Sequence, residues 1–154
     1  MSVELLNKDT VVKYLTDKKV ISASDNAEVE VLTGGVSNVV LAITTANQKL
    51  VLKQALAELA VSEQWIADQR RAIVEADAIK LFNQLSPDQV PKLIFLDPER
   101  FILVLERVPV GSTVWKSDLI AGVINPDVGA GLGKTLATWH NYGEVTASAK
   151  IKFM

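Results

Sequence analysis

Lys49-Leu50-Val51-Leu52-Lys53-Gln54-Ala55-Leu56 is the stretch whose reading decides the fold. Leu50, Val51, Leu52, Ala55 and Leu56 are apolar, and the polar Asn47-Gln48 and Glu58 bound the segment. That pattern predicts a short, largely buried strand. Lys53 lies near its centre, and an ammonium ion taken out of water without a partner costs on the order of several kcal/mol. Two readings are open. Lys53 either sits on the wet face of a half-buried sheet, or faces a cleft where it grips phosphate oxygens.

The size of the chain limits what can surround this strand. Its 154 residues make one domain, or one domain and the start of another. Hydrophobic residues make up 49% and the mean hydropathy is +0.23, enough apolar material for a core. No apolar run approaches the roughly 18 residues of a membrane span. Met1-Ser2-Val3-Glu4 carries no basic region followed by an apolar one, so no secretory signal is read there. The absence of cysteine excludes disulfides and thiolate metal sites, and fits a cytoplasmic location. A net charge of −2 gives no electrostatic case for nucleic acid as a partner. One histidine, His140, cannot make a zinc site of imidazoles.

On the N-terminal side, Asp9 or Thr10 can cap a first helix with Val11, Val12 and Leu15 inward, ending near Lys18-Lys19. Glu28 to Leu32 alternates polar and apolar residues, which predicts a strand with one wet face. Thr33 to Asn38 breaks it, and Val39 to Thr45 begins a second strand. With the Lys53 strand these form an antiparallel meander. From Ser62 to Leu85 the spacing of Val74, Ala78, Leu81, Phe82 and Leu85 predicts a helix, with Arg70, Arg71 and Asp77 off its apolar stripe. Lys92 to Leu96 and Phe101 to Leu105 read as two further strands around an Asp97-Pro98-Glu99-Arg100 turn, the second of them central in the sheet. A domain boundary is expected near Val108 to Gly111, followed by a helix begun by Asn125-Pro126 and running to about Tyr142.

Candidate chemistry gathers around the lysine strand. Gly34-Gly35 either supplies the positive φ of a turn between strands, or forms a flap whose backbone N–H groups cover phosphates, with Ser37 or Asn38 helping. Glu75, next to Val74, lies either at the solvent edge of its helix or opposite a cation. Gly129 to Thr135 imitates a phosphate-binding P-loop, but counting back from Gly133 puts Val128 where the first glycine belongs. His140, with Leu132, Leu136 and Trp139 on the preceding turns, is expected to be packed and hydrogen-bonded.

The glycine turn, Leu52-Lys53-Gln54-Ala55-Leu56, Trp65, Arg71 to Ile79 and Val104-Leu105-Glu106-Arg107-Val108 together resemble the nucleotide-binding lobe of small-molecule kinases. The group is that of the aminoglycoside phosphotransferases and choline kinases. The Lys-Gln-Ala-Leu run and the Trp followed by Arg-Ala and Glu-Ala look most like its methylthioribose kinase branch. Leu132 to His140 is similar to the helix preceding that family's catalytic loop. The resemblance implies an α+β fold: a protein-kinase-like N-lobe, with a five-stranded antiparallel sheet and a helix, plus the first helices of the C-lobe. It divides the chain into residues 1–108, the N-lobe with its N-terminal helix, and 109–154, the hinge exit and the start of a truncated helical C-lobe. Gly34, Gly35 and Ser37 would form the phosphate-covering loop. Lys53 would contact the α- and β-phosphates of ATP, and Glu75 would orient it. Glu106 and Val108 would offer backbone C=O and N–H to adenine.

The sequence departs from that family after His140. The family's His-Gly-Asp run and its later magnesium-binding Asp have no counterpart, and Glu144 is the only acid among the last residues. The resemblance therefore implies ATP with Mg²⁺, and a hydroxyl acceptor, for a full-length enzyme. For this chain it implies weak nucleotide binding at most and no turnover. A fragment of a longer kinase, a truncated reading frame, a pseudokinase and a non-catalytic interaction module all remain open. Uncovered apolar surface around Leu132, Leu136 and Trp139 would favour self-association.

Overall fold

The computed structural model describes residues 4–109 and 111–145. In chain order the elements are α1 (Lys8–Asp17), β1 (Glu28–Val31), β2 (Asn38–Thr44), β3 (Lys49–Ala55), α2 (Arg71–Leu85), β4 (Leu93–Asp97), β5 (Ile102–Glu106), α3 (Trp115–Ile120) and α4 (Pro126–Val145). The strands form one antiparallel sheet in the order β1-β2-β3-β5-β4, with the meander in place and the chain in the expected α+β class. Two compact units result. One takes in the residues up to Lys80 together with Pro91–Arg107; the other takes in Leu81–Val90 and the residues from Val108 on.

In the first unit the sheet is covered on both faces. The register sets Leu50, Leu52 and Gln54 opposite Glu106, Val104 and Ile102. On that face Val11, Tyr14 and Leu15 of α1 pack with Leu41, Ile43, Leu50, Leu52, Ile102 and Val104. On the other face Ala55 and Leu103 meet Ala72 and Ala76 of α2, with Ile79, Leu93, Leu96 and Phe101 around them. β5 is flanked by β3 and β4, and Ile102 to Leu105 are buried, as its unbroken apolar run predicts for a strand covered on both sides. A bulge between Leu93 and Phe95 lets Leu93 and Leu96 serve one face and Phe95 the other.

Three sequence expectations are corrected here. The cap of α1 is Asn7, not Asp9 or Thr10: its side chain accepts from the N–H groups of Asp9 (2.9 Å) and Thr10 (3.1 Å), while Thr10 Oγ1 accepts from the Asn7 N–H. Asp9 falls instead in the first turn, where its charge suits the helix dipole. The second helix starts at Arg71 and not Ser62. Residues 57–70 fold on themselves through Leu59 N–H to Trp65 C=O and Ala67 N–H to Ala57 C=O (both 2.9 Å). The Asp68 carboxylate then accepts from the Arg70 N–H at 2.8 Å and turns the chain into the helix. The stripe that packs is Ala72, Ala76 and Ile79, whose small residues let α2 lie close to the sheet, while Val74 is exposed.

Two buried polar groups tie this unit together. Gln54 accepts from the Leu6 N–H at 2.8 Å and donates to the carbonyls of Glu4 (3.1 Å) and Arg100 (3.4 Å), fastening the segment ahead of α1 to the sheet. Asp97, 4% exposed, accepts from Tyr14 OH (2.7 Å), Lys18 Nζ (3.1 Å) and the N–H groups of Glu99 and Arg100 (both 3.1 Å). It thereby organises the β4–β5 turn, in which Phe101 takes a left-handed φ of 54°.

In the second unit Phe82 stacks on Trp139 with centroids 4.0 Å apart, and Trp139 Nε1 donates to Ser86 Oγ at 3.1 Å. α4 begins at Pro126 as expected, the Asn125 side chain accepting from the Asp127 N–H. Gly129 to Thr135 lies inside this helix, so it is no phosphate loop. His140 is exposed, which corrects the expectation that it packs; the neighbouring Trp139 does so instead. α3 was not legible in the sequence. Among the described residues no helix is long and apolar enough to cross a membrane.

Burial raises the affinity of the Asp97 carboxylate for a proton, but Tyr14, Lys18 and the Arg100 N–H more than offset this and hold it below its ordinary value of 3.8. A carboxylate whose pKa is depressed by folding adds stability that is complete above the unfolded value and is lost as pH falls through the folded one. Asp97→Asn is expected to cost about 1–3 kcal/mol in chemical denaturation at neutral pH. The variant should also lose less stability than the parent below pH 3.8, and parallel acid curves would show that this carboxylate is not responsible.

Candidate functional site

Alternation along β3 fixes where Lys53 points. Leu52 and Gln54 are fully buried on the α1 side, so Lys53 stands with Ala55 on the α2 side, paired in register with Val40 and Leu103. There its amine forms a hydrogen-bonded ion pair with Glu75 Oε1. The side chains are 24% and 36% exposed, a pair at a wet margin and not a sealed one. Glu75 reaches that position because it sits one turn into α2, between the buried Ala72 and Ala76 and the exposed Val74. Of the two readings open for Glu75, the structure shows the one opposite a cation.

The glycine turn links β1 to β2. Gly34 has φ +100° and needs glycine for that conformation, whereas Gly35 does not take a positive φ. The Leu32 N–H bonds the Val40 carbonyl at 2.9 Å and closes the base of the turn. The turn's far end is pinned: the Ser37 carbonyl accepts from the Leu56 N–H at 3.0 Å and from Arg71 Nη2 at 2.7 Å. Ser37 and Asn38 are brought together, Asn38 Nδ2 donating to Ser37 Oγ at 3.0 Å. Asn38 and Ala55 are partners across β2 and β3, which places the end of the turn two residues along the ladder from Lys53.

The Glu106 side chain is not gathered with these groups. The Glu106 N–H donates to the Lys92 carbonyl at 2.9 Å, and its register with Leu50 puts its side chain on the face opposite Lys53. There it lines a groove of about 500 Å³ with Lys49, Lys92 and Arg107, the last paired to Glu30. Val108 belongs to the second unit and is exposed. Arg71 and Gln69 went unread in the sequence. Arg71 was placed off the apolar stripe and given no partner, yet it donates to four backbone carbonyls, and Gln69 Nε2 donates to the Ala55 carbonyl at 2.7 Å. Their signal was two long polar side chains, Gln69 just ahead of the helix and Arg71 opening it, which alone does not name an acceptor.

No protein-family model matches the chain. Among curated proteins it is 30% identical over 133 residues to a methylthioribose kinase of Bacillus cereus (strain G9842), an alignment covering 86% of this chain and 34% of that protein. A methylthioribose kinase of Enterobacter sp. (strain 638) is 32% identical over 117 residues, 74% of this chain and 29% of that protein. One of Citrobacter koseri is 33% identical over 95 residues, 61% and 24% respectively. The chain is a relative of the methylthioribose kinases. It spans about a quarter to a third of the length of those it matches. The relationship agrees with the small-molecule kinase resemblance carried by the lysine strand and the helix after it. Methylthioribose kinases thus supply the context in which the Lys53–Glu75 pair is to be interpreted.

An ion pair this open to water adds little to stability. Glu75→Gln is expected to change the unfolding free energy by less than about 1 kcal/mol. A larger loss by urea titration would mean the pair is part of the fold's support.

Proposed function

We propose that this chain is the ATP-binding lobe of a small-molecule kinase, methylthioribose kinase-like or aminoglycoside phosphotransferase-like. The observation that supports the reading best is the Lys53–Glu75 pair standing on the same sheet face as Asn38, where the glycine turn ends. An ammonium held by a carboxylate on one side keeps donors free for phosphate oxygens on the other, and the carboxylate fixes its direction. In this reading Lys53 neutralises the α- and β-phosphates, while Gly34, Gly35, Ser37 and Asn38 cover them. Glu106 and Val108 present backbone groups to adenine. Residues 1–108 are the N-lobe, and 109–154 leave the hinge and begin the helical C-lobe.

The full-length enzyme would transfer the γ-phosphoryl group of ATP to a hydroxyl of a small acceptor, in the cytoplasm. Among the described residues no group of three His, Cys, Asp or Glu could hold a metal ion, so no step is assigned to magnesium here. No residue of this chain is assigned as the base that receives the hydroxyl proton, and the chain alone is expected to bind ATP without turning it over. Calorimetric titration with ATP tests the reading. Lys53→Met should weaken binding about tenfold or more, as loss of a charge-assisted contact does. Unchanged affinity would remove Lys53 from the site.

A second reading, a non-catalytic interaction module, is favoured by the apolar side chains exposed on the second unit. Ile120 and Ile124 are 77% and 78% exposed, and Val123, Val128, Leu132 and Leu136 are exposed as well. It predicts self-association that grows with concentration in sedimentation or light scattering. A monodisperse monomer at high concentration would count against it.

A further inference from the structure

Arg71 opens α2, and its side chain turns back over the chain that precedes it. Nη2 donates to the carbonyls of Ser37 (2.7 Å) and Leu56 (2.8 Å), and Nη1 to those of Asp68 (2.9 Å) and Ala67 (3.3 Å). These acceptors come from three separate segments: the end of the glycine turn, the exit of β3 and the approach to α2. Lys53 lies three residues before Leu56, and Glu75 lies one helical turn after Arg71. One guanidinium therefore joins the turn, the strand that carries the cation and the helix that carries its carboxylate. The turn has little else to hold it. Val36 is exposed, and besides Arg71 the end of the turn is fastened by the Leu56 N–H to Ser37 and the Ala60 N–H to Val36.

We propose that Arg71 is a positioning residue that couples the glycine turn to the Lys53–Glu75 pair, so that ordering either one orders the other. The consequence for ATP rests on the nucleotide reading above; the coupling itself needs no ligand. A planar fork with five donors serves four carbonyls at once, and a lysine with three donors on a flexible stem does not. The linkage is reciprocal, so disturbing the ion pair also loosens the turn.

Amide hydrogen exchange followed by NMR, with and without ATP, tests this on the whole chain. In Arg71→Lys the amides of Leu56 and Ala60 should exchange at least about tenfold faster, while Val104 and Leu105 in β5 stay within about twofold of the parent. Glu75→Gln, which leaves the guanidinium intact, should speed the same two amides severalfold. Gln69→Ala, which removes only the neighbouring bond to Ala55, should leave the ion pair's response unchanged. ATP affinity should fall at least about tenfold in Arg71→Lys. An equal rise in exchange at Val104 and Leu105 would mean Arg71 only braces the fold, and overturns the proposal. Should Arg71→Lys fail to fold, the Glu75→Gln arm decides, and unaltered exchange at Leu56 and Ala60 overturns it. This exchange pattern in the variants, with a parent chain that binds no ATP, supports the coupling and sinks the nucleotide reading. Full ATP affinity with unchanged exchange in Arg71→Lys does the reverse.

Discussion

The placement of one positive charge constrains much of this molecule. Lys53 occurs in a strand whose neighbours on either side, Leu52 and Gln54, are wholly buried, so its amine has only the α2 face to occupy. The core on that face is apolar, built from Ala55, Leu103, Ala72 and Ala76. A cation beside such a surface needs a counter-charge and an exit to water, and Glu75 at the margin of α2 gives it both. The position of the helix makes this possible. The small side chains of Ala72 and Ala76 bring α2 close enough to the sheet for a carboxylate one residue away to reach across.

Much of this was legible in the order of residues. Period-two alternation placed β1, the apolar runs placed β2, β3 and β5, and each strand lay within a residue or so of its expected bounds. A lysine inside an apolar strand, with a carboxylate in the following helix, was enough to pose the ion pair as a question. The fourfold spacing of Val74, Ala78 and Phe82 misled, because it marks a real periodicity but not the side that packs. Size decides there: the sheet accepts alanine at close range, so Ala72 and Ala76 turn inward and the larger Val74 outward.

What stayed hidden is chiefly polar and long-range. Tyr14 reaches Asp97 across 83 residues of chain, and Gln54 reaches Leu6 across 48. Neither carries a local pattern, since an aspartate before a proline reads first as a turn former and a glutamine in a strand reads as its wet side. Arg71 was obscured for a related reason. Its acceptors are backbone carbonyls, which any residue type supplies, so no complementary side chain in the sequence announces them. Residues 62–70 read as helix because nothing local forbids it. The bonds that close them into a loop use backbone groups alone.

The amide of Gln54 carries an implication for the chain's beginning. It stands back to back with Lys53 on the adjacent strand position, and both its donors and its oxygen are engaged, by Glu4, Arg100 and Leu6. Glu4 and Leu6, ahead of α1, are thus tied to the same strand that presents the cation. Deleting them would strand a carboxamide in an oily interior and remove Leu6 from the cluster that holds Leu50, Leu52 and Val104. Trimming that segment to obtain a smaller binding fragment would unsettle the far side of the strand on which that binding is proposed to depend.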